Sequence, residues 1–283
     1  LALIFILSFR EVKLIKKTLL IFLLSCVVLV SYMYLETRWI KNNFIEIRSS
    51  EIPAAFHECR IVFASDIHHG PYLSRRRVHK LVDRINRIEP DIILLGGDYV
   101  QRKPKYIKPF FEEAKNLEAK YGIYAVLGNH DHWEDAALTR QLMRALNFNL
   151  CDNASYWVNI QNDSIKIGGV GDLWEDDQRI GYTIGDVKNT DYCILISHNP
   201  DYFENLNTNL VDLAVAGHTH GGQVTYFGKK APVLPIRNGE KYRLGLKNQD
   251  NTLLYITSGV GTVTPPLRFF CRPEVVVFTL IRE

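Results

Sequence analysis

The chain has 283 residues, of which 47% are apolar, and a formal net charge of +3 at pH 7. The apolar content indicates a globular protein, and so small a charge gives no reason to expect a nucleic-acid partner. Five widely spaced cysteines, with no C-x-x-C pair among them, argue against a disulfide framework and against a zinc ribbon.

The first predicted element is a membrane-spanning helix. Residues 18–35 form an eighteen-residue run without a charge, which is long enough to cross the apolar core of a bilayer. A basic and apolar segment, residues 1–17, precedes this run. The flanking residues that support a membrane anchor are the cations Arg10, Lys13, Lys16 and Lys17 and the aromatic residues Tyr32, Tyr34 and Trp39.

A cleaved signal peptide is the alternative interpretation of the same run, but no Ala-x-Ala-like cleavage site follows it. We therefore expect an uncleaved single-pass anchor in the inner (cytoplasmic) membrane. Cations on both sides of the span leave its orientation open: the positive-inside rule slightly favours an exported domain, whereas unpaired cysteines slightly favour a reducing compartment. Residues 1–9 are also apolar and the chain does not begin with methionine, so a longer N-terminus stays open.

The rest of the chain divides into a polar linker, residues 36–57, and one globular domain, residues 58–283. Three helices are predicted after Ser74, over residues 104–121 and over residues 134–146, and they alternate with strands. From about Asn147 the segments become shorter and are separated by Asn, Asp and Gly, which predicts a second, more antiparallel sheet. The predicted fold is α/β, with two packed mixed β-sheets flanked by helices and an N-terminal transmembrane helix.

Five short apolar runs, each typical of a buried strand, end in residues that can bind a metal. These residues are Asp66 and His68, Asp98, Asn129 and His130, His198, and His218 and His220. Open α/β sheets place their ligands at the carboxyl ends of the strands, so we expect these side chains to converge. They could instead be ordinary core polar residues or helix caps, but buried carboxylates and imidazoles need partners, and here they would find only each other. The pattern predicts one dinuclear metal site.

The types of ligand favour two divalent transition-metal ions. Two ions about 3.5 to 4 Å apart can hold both the attacking and the leaving oxygen of a displacement at phosphorus. Such a pair needs a bridging ligand, and Asp98 is the natural one because Gly96 and Gly97 before it let the loop turn sharply. Histidine and carboxylate ligands with one Asn oxygen suit manganese, or alternatively iron or zinc, better than calcium.

The same residues form a pattern that resembles the calcineurin-like metallophosphoesterases. The motif of that family runs D-x-H, G-D, G-N-H-D, a lone H and G-H-x-H, and every piece occurs here in order. The matching residues are Asp66-Ile67-His68, Gly97-Asp98, Gly128-Asn129-His130-Asp131, His198 and Gly217-His218-Thr219-His220. One piece alone is weak evidence, but five pieces in order are strong. The resemblance covers residues 59–283 and implies the αββα sandwich of the family.

The resemblance also implies a role for each position. One ion would be held by Asp66, His68, Asp98 and His220. The second ion would be held by Asp98, Asn129, His198 and His218. His130 would act near the leaving oxygen, as a general acid or as a contact to the phosphate, and Asp131 would either orient His130 or cap the following helix. Outside the motif, Arg268 is a candidate contact to a substrate phosphate, because a guanidinium group matches phosphate oxygens.

Further residues resemble the bacterial membrane-associated branch of the family, which includes YaeI-like and YkuE-like phosphodiesterases and a membrane-bound UDP-2,3-diacylglucosamine pyrophosphatase of lipid A biosynthesis. They are residues 217–223 (GHTHGGQ), 258–262 (SGVGT) and 273–274 (PE). We therefore expect hydrolysis of a phosphoanhydride or phosphodiester bond in a lipid-linked substrate, with the UDP-2,3-diacylglucosamine reaction as the leading hypothesis. The alternatives are a general envelope phosphodiesterase and, since fold does not imply function, a non-catalytic membrane-anchored binding module.

Overall fold

The computed structural model describes residues 9–283, and in this part of the chain a long helix, α1 (Phe9–Glu36), precedes two packed sheets. A candidate membrane span runs from Arg10 to Glu36. At about 1.5 Å per residue this length is about 40 Å, which exceeds a bilayer core of about 30 Å. The helix predicted at residues 18–35 is confirmed, but it begins earlier and includes the basic residues from Arg10 onwards; residues 1–8 of the predicted N-terminal segment lie outside the described residues.

The first sheet is mixed and lies next to a layer of helices. Its strands, in spatial order, are β1 (Lys41–Ser49), β12 (Glu274–Arg282), β2 (Arg60–Ala64), β3 (Ile92–Leu95), β4 (Ile123–Ala125) and β5 (Asn149–Leu150). The pair β12 and β2 is antiparallel, and the other neighbours are parallel. The helices on the outer face of this sheet are α2 (Arg75–Asn86), α3 (Ile107–Ala114) and α4 (Asn129–Ala145).

The segment predicted as a linker, residues 36–57, contains β1, so that prediction is wrong. β1 pairs in parallel with β12 from Lys41 to Ser49. Ile45 and Ile47 alternate with the exposed Phe44 and Glu46, the period-two pattern of a half-buried strand. Ile47 is thereby buried in the core between the two sheets. The globular domain therefore begins at β1 rather than at residue 58.

The second sheet is mixed as well. Its strands, in spatial order, are β10 (Gly245–Gln249), β11 (Thr252–Ile256), β9 (Leu213–Ala216), β8 (Tyr192–Ile196), β7 (Asp163–Gly169) and β6 (Ser155–Ile160). The two edge pairs are antiparallel, whereas the central pairs are parallel. The prediction of a more antiparallel sheet is therefore wrong for the centre. All residues of β8 and β9 are buried, as expected for parallel strands that are covered on both faces.

The two sheets pack face to face, which confirms the predicted α/β fold with two mixed sheets flanked by helices. One apolar core lies between them and contains residues such as Phe63 and Leu94 of the first sheet and Ile167 and Ile194 of the second. The outer face of the second sheet is covered by α5 (Gly181–Ile184) and by short turns. This packing brings the carboxyl ends of the parallel strands from both sheets to one shared edge.

Candidate active site

The seven predicted metal ligands are all buried, and the structure brings them together at the shared edge of the two sheets. We refer to these seven residues as the metal cluster. The first sheet and the helix α4 supply Asp66, His68, Asp98 and Asn129. The loops after β8 and β9 supply His198, His218 and His220. Neither sheet could form the cluster alone, because the first sheet provides every carboxylate and the second provides three of the four imidazoles.

Asp98 lies where two groups of ligand atoms meet, and it belongs to one of them. Asp66, His68 and His220 form one group, and Asp98, His198 and His218 form the other. The Oδ2 atom of Asp98 is 3.4 Å from the Nε2 atom of His68 and 3.4 Å from the Nε2 atom of His198, so it faces one nitrogen of each group. This position is the one expected of a carboxylate that bridges two ions.

Two glycines make this close approach of the loops possible. Gly97 has a φ of +89°, in the region that favours glycine, and a side chain there would collide with the backbone of Gly128 at 2.5 Å. A Cβ atom on Gly128 would lie 2.4 Å from Oδ1 of Asp98. The predicted sharp turn before Asp98 is therefore present, and the loop after β4 packs directly against it.

Backbone carbonyl groups fix which nitrogen of two histidines is free to bind a cation. Nδ1 of His198 lies 2.7 Å from the carbonyl oxygen of Gly96, and Nε2 of His218 lies 3.1 Å from that of Pro235. Because a carbonyl oxygen accepts, each of these nitrogens must carry the hydrogen. The remaining nitrogens, Nε2 of His198 and Nδ1 of His218, are 3.2 Å apart and face into the cluster. Carbonyl partners of this kind orient metal-binding imidazoles.

Burial sets the protonation states of the cluster. It lowers the pKa of His68 and of His218 to about 3, so both imidazoles are neutral, the form that binds a metal. Burial alone would raise the pKa of Asp98, but the neighbouring His198 holds it well below the usual range, so Asp98 is ionised. Burial alone would lower the pKa of His198, but Asp98 raises it well above the usual value. The cluster thus pairs an ionised Asp98 with neutral imidazoles at His68 and His218.

The residues of the cluster fit two divalent ions. Nε2 of His68 and Nε2 of His220 lie 3.0 Å apart, and Nε2 of His220 lies 3.5 Å from Oδ1 of Asp66. Asn129 adds an amide oxygen 3.2 Å from Nε2 of His198. Lone pairs that point at each other in a buried space repel unless a cation lies between them. Mixed imidazole, carboxylate and amide donors are typical of transition-metal sites.

His130 lies at the mouth of the cluster. Its backbone N–H donates to Oδ1 of Asp98 at 2.8 Å, which fixes the start of α4 beside that carboxylate. Its half-buried ring packs edge-to-face against His68 and Trp133, with ring centroids 4.7 Å apart in both pairs. The ring therefore borders both the metal cluster and the open cavity, as the predicted role near the leaving oxygen requires.

Asp131 holds the loops of the site together. Its carboxylate is fully buried and accepts hydrogen bonds from the backbone N–H groups of Asp98 at 2.8 Å, Tyr99 at 3.0 Å and Gly128 at 3.0 Å. These bonds join the loops after β3 and β4. Asp131 thus caps α4, the second of the two predicted roles, and positions Asp98 through the loop backbone. Its predicted catalytic role stays a prediction.

Arg268 was predicted to contact a substrate phosphate, and this prediction is also wrong. Its side chain has no exposed surface. Its Nη atoms donate to the carbonyl oxygens of Ser258 at 2.7 Å, Gly261 at 2.7 Å and Cys271 at 2.9 Å. A weaker bond of 3.4 Å reaches the carbonyl oxygen of His220. Arg268 therefore holds together the loops that follow β9 and β11.

The metal cluster opens into a cavity of about 550 Å³. Its walls include three residues that the sequence analysis missed, Arg102, Trp133 and Trp174. The rings of Trp133 and Trp174 are stacked, with centroids 6.3 Å apart, and Trp174 also packs edge-to-face on His218 at 4.5 Å. No spacing signal marks these residues. Trp174 lies in the acidic sequence DLWEDD, where a tryptophan among charges is the one unusual feature.

A larger groove of about 680 Å³ lies elsewhere, between β1 and α2, and four of its eight lining residues are basic. It includes Arg60, Lys80, Arg84 and Arg87 but no residue of the metal cluster. Size alone does not identify the functional cavity, because a reaction at phosphorus needs the groups that only the smaller cavity presents.

Comparisons with known proteins agree with this geometry. Residues 59–222 match the family model described as calcineurin-like phosphoesterase. The chain is 30% identical over 253 residues to the metallophosphoesterase YkuE of Bacillus subtilis, with 87% of each chain covered. It is 28% identical over 232 residues to the phosphodiesterase YaeI of Escherichia coli, which covers 78% of this chain and 82% of YaeI.

Among solved structures, a dimetal phosphatase from Danio rerio superposes with a TM-score of 0.46 and 12% identity, covering 79% of this chain and 99% of the other. The family match extends over more than half of the chain and contains every residue of the metal cluster. The chain therefore belongs to the calcineurin-like phosphoesterase family and is a metal-dependent phosphoesterase.

Proposed function

We propose that the protein hydrolyses a phosphodiester or phosphoanhydride bond in a lipid-linked substrate, with UDP-2,3-diacylglucosamine as the leading candidate. The observation that supports a lipid-linked substrate is the attachment of α1 to the active-site loops. The carboxylate of Glu36 accepts hydrogen bonds from the backbone N–H groups of Phe270 at 3.0 Å and Cys271 at 2.8 Å. The backbone N–H of Arg268 donates to the carbonyl oxygen of Met33 at 3.0 Å.

This attachment fixes the distance between the anchor and the metal cluster. Glu36 and Thr37 are buried in the domain, and Arg268 connects the end of α1 to the loop that carries His220. Side chains earlier in α1 are almost all exposed, as expected for a segment that contacts lipid. We infer an uncleaved anchor in the inner membrane that holds the cavity beside the bilayer surface, where a lipid-linked substrate is confined.

The residues of the metal cluster would hold two divalent ions, which when bound polarise a phosphate oxygen and lower the pKa of a water molecule. Manganese is the proposed metal, with iron or zinc as alternatives. Asp98 would bridge the ions, and Asp131 would keep it in position through the loop backbone. His130 is placed to donate a proton to the leaving oxygen or to hold the phosphate.

The cavity also contains groups that suit a nucleotide. Trp133 and Trp174 are 54% and 47% exposed, so their stacked rings offer free faces on which a base can stack. Arg102, in the same wall, presents a guanidinium group that matches phosphate oxygens. These features favour a nucleotide-linked lipid over a simple phospholipid. The name of the relative YaeI, a phosphodiesterase, favours a second candidate function, cleavage of smaller envelope phosphodiesters.

Product analysis tests the proposal. The full chain, purified in detergent, is incubated with UDP-2,3-diacylglucosamine and manganese, and His130→Ala protein serves as the control. We expect release of UMP and 2,3-diacylglucosamine 1-phosphate, strongly reduced in the control. If neither product forms while bis(p-nitrophenyl) phosphate is still cleaved, the leading substrate is wrong and the second candidate function replaces it.

The membrane face of the catalytic domain gives an independent test. Nucleotide-linked lipids are made on the cytoplasmic side, so the proposed reaction requires a cytoplasmic domain. A reporter enzyme fused to the C-terminus should therefore report a cytoplasmic location. A periplasmic location would exclude the UDP-2,3-diacylglucosamine reaction and would favour an envelope phosphodiesterase.

A further inference from the structure

A second cavity, of about 320 Å³, adjoins the one that contains the metal cluster. We call it the apolar groove. Six of its lining residues carry apolar side chains, and they are Val224, Pro232, Val233, Pro235, Val263 and Pro265. The volume lies at the lower end of the range for ligand cavities, about 300 to 1,000 Å³. The apolar groove is therefore large enough for part of a ligand, and its chemistry suits an apolar part.

The apolar groove shares a wall with the metal cavity. His220, Pro235, Val263 and Thr264 line both spaces. Among these, His220 belongs to the metal cluster, and the carbonyl oxygen of Pro235 accepts the hydrogen bond from His218. A ligand whose phosphate lies at the metal cluster can therefore extend an apolar tail into the apolar groove without crossing solvent.

At its outer end the apolar groove reaches a set of exposed apolar side chains, which we call the apolar rim. It consists of Tyr226, Phe227, Val233 and Phe270, which are 65%, 73%, 75% and 45% exposed. Val233 belongs to both the groove and the rim. Val224, which lines the groove, pairs with Phe269 next to Phe270, so the groove adjoins the aromatic part of the rim. Exposed apolar side chains that lie together mark a surface that contacts a partner or a membrane.

The apolar rim is continuous with the candidate membrane span. The ring of Phe227 packs against Phe270 with centroids 5.2 Å apart, and Phe270 packs against Phe269 at 4.6 Å. Phe269 in turn packs edge-to-face against Tyr32 of α1 at 5.9 Å. Since Tyr32 lies near the end of the span, the rim lies where aromatic side chains contact the bilayer interface. A lipid bilayer is thus the surface that meets the rim.

We propose that the apolar groove binds an acyl chain of the substrate, which enters from the bilayer across the apolar rim. The inference rests on the proposed function, since it requires a lipid-linked substrate. Most walls of the groove lie after residue 222, beyond the residues that match the family model. These walls lie in the loops that follow β9 and β11, and the second of these loops also donates hydrogen bonds to Glu36 of α1.

Burial of a chain in the groove has a measurable consequence. Each methylene group that leaves water contributes about 0.8 kcal/mol, which corresponds to about a fourfold change in binding. A substrate that carries a longer alkyl chain should therefore react faster until the groove is filled. A carboxylate inside the groove would oppose this effect, because the chain could enter only by removing water from the charge.

A chromogenic series tests the proposal without assuming the headgroup. The substrates are methyl, butyl and octyl p-nitrophenyl phosphate, from which water displaces p-nitrophenolate and leaves the alkyl phosphate. With the full chain in mixed micelles we expect kcat/KM for the octyl ester to exceed that for the methyl ester by at least about tenfold. Val233→Asp should reduce this ratio by at least about fivefold. Partition into micelles is the same for both proteins, so it cancels in the comparison.

Leu246→Asp is the matched control, because Leu246 is also exposed but lies on β10, away from both cavities. It should keep the ratio of the wild-type protein. A ratio near one in the wild-type protein, or an unchanged ratio in Val233→Asp protein, would overturn the proposal and would show that something other than an alkyl chain covers the groove. A high ratio that falls in Val233→Asp protein, with no cleavage of UDP-2,3-diacylglucosamine, would retain the groove and reject the headgroup.

Cross-linking provides a second measurement that does not depend on the folding of a variant. A non-hydrolysable octyl phosphonate with a diazirine at the chain end is irradiated with the full chain in nanodiscs. We expect cross-links within residues 222–235 and 263–265, and competition by octyl but not by methyl phosphonate. Cross-links confined to α1 or to the basic groove beside α2 would contradict the proposal.

Discussion

Two buried polar regions lie on either side of the loops that follow β9 and β11, and they satisfy their charges in opposite ways. In the metal cluster, carboxylates and imidazoles face one another. In the second region, which we call the anchor cluster, Glu36 and Arg268 face backbone groups that complement them. Buried charge by itself therefore does not indicate function. A charge paired with the backbone stabilises the fold, whereas carboxylate oxygens and imidazole nitrogens that face one another are typical of a site that binds cations.

The backbone differs between the two regions as well. Five residues of the metal cluster have a positive φ, between 51° and 66°: Asp66, His68, Asp98, His218 and His220. For residues other than glycine this conformation costs of order 1 to 3 kcal/mol each, and it persists only where the surroundings enforce it. The strands on both sides supply that constraint. The metal cluster therefore reduces the stability of the fold, whereas the anchor cluster contributes to it.

The largest effect that tests this contrast is expected for Asp98→Asn. The substitution keeps the shape of the side chain and its capacity to accept from the backbone of His130, but it removes the bridging charge. Loss of several kcal/mol of transition-state stabilisation should lower phosphoesterase kcat/KM by about 10³-fold or more. Steady-state kinetics with bis(p-nitrophenyl) phosphate measure this, and elemental analysis should show reduced metal content.

The same variant should remain folded, and its unfolding temperature after metal removal should stay close to that of the metal-free wild-type protein. Added manganese should raise the unfolding temperature of the wild-type protein, because a ligand that binds the folded state stabilises it, and should do so much less in Asp98→Asn protein. Preserved turnover in Asp98→Asn protein would refute the metal mechanism. If the variant unfolded globally, Asp98 would be needed for stability, and the metal cluster would no longer differ from the anchor cluster in that respect.

Arg268→Ala should show the opposite behaviour. Removal of the guanidinium leaves the carbonyl oxygens of Ser258, Gly261 and Cys271 buried without their donors. We expect a loss of about 3 to 5 kcal/mol in the free energy of unfolding, the range for removal of one partner of a buried charged interaction. Denaturant unfolding in detergent measures it. Arg268→Lys, which keeps the charge but not the planar fork, should lose less. Unchanged stability with a raised KM would instead support the original prediction of a phosphate contact.

Asp131→Asn tests a residue that has features of both regions. Its carboxylate accepts from backbone N–H groups, as in the anchor cluster, but one of those groups belongs to Asp98 of the metal cluster. An amide can accept through one oxygen, so at least one of the three backbone N–H groups loses its acceptor. We expect kcat/KM to fall by about 10- to 100-fold, the usual effect of residues that support metal ligands. The shape of the pH–rate profile should stay the same, since Asp131 transfers no proton. Loss of the acidic or the basic limb of that profile would instead indicate that Asp131 is a catalytic residue.

Sequence reasoning was most effective where a chemical pattern coincided with a strand end. Each apolar run that leads into the metal cluster forms a buried strand. Such a run is apolar on both faces, and a parallel sheet covers both faces of its strands. The positive φ values of Asp98 or His220 could not be predicted, because the surrounding strands impose them. The order of these runs predicts the α/β class and the two sheets. Only the structure shows that the two sheets meet at one edge.

The errors share a different cause. β1 was assigned to a linker because its partner, β12, lies more than 200 residues away, although the alternation of Ile45 and Ile47 with polar neighbours is a strand signal. Arg268 is predicted to contact the substrate because a guanidinium group matches phosphate oxygens. Its partners are backbone carbonyl groups from distant loops, which no local pattern reveals.

The smallest expected effect concerns Asp212, a half-buried carboxyl group that is only partly satisfied. Its Oδ2 atom accepts one backbone hydrogen bond, from Cys193 at 2.7 Å, whereas Asp131 accepts three. Burial, with a further contribution from Glu51, raises the pKa of Asp212 to about 7. Asp212 is therefore a third case beside the two regions: a half-buried carboxyl group that holds its proton to a higher pH than usual.

The sign of the pH dependence follows from the two pKa values. In the unfolded chain Asp212 ionises near pH 3.9, so between about pH 4 and pH 7 the unfolded state has released a proton that the folded state still holds. Stability is therefore lost as the pH rises through this window and is constant above it. Asp212→Asn should remove this loss, so its unfolding temperature should exceed that of the wild-type protein more at pH 8 than at pH 5, by about 2 to 4 °C for each kcal/mol. Thermal unfolding at both pH values measures the difference, and Glu51→Gln should shift it in the same direction by less. An equal difference at both pH values would mean that Asp212 is already ionised in the folded protein at pH 5.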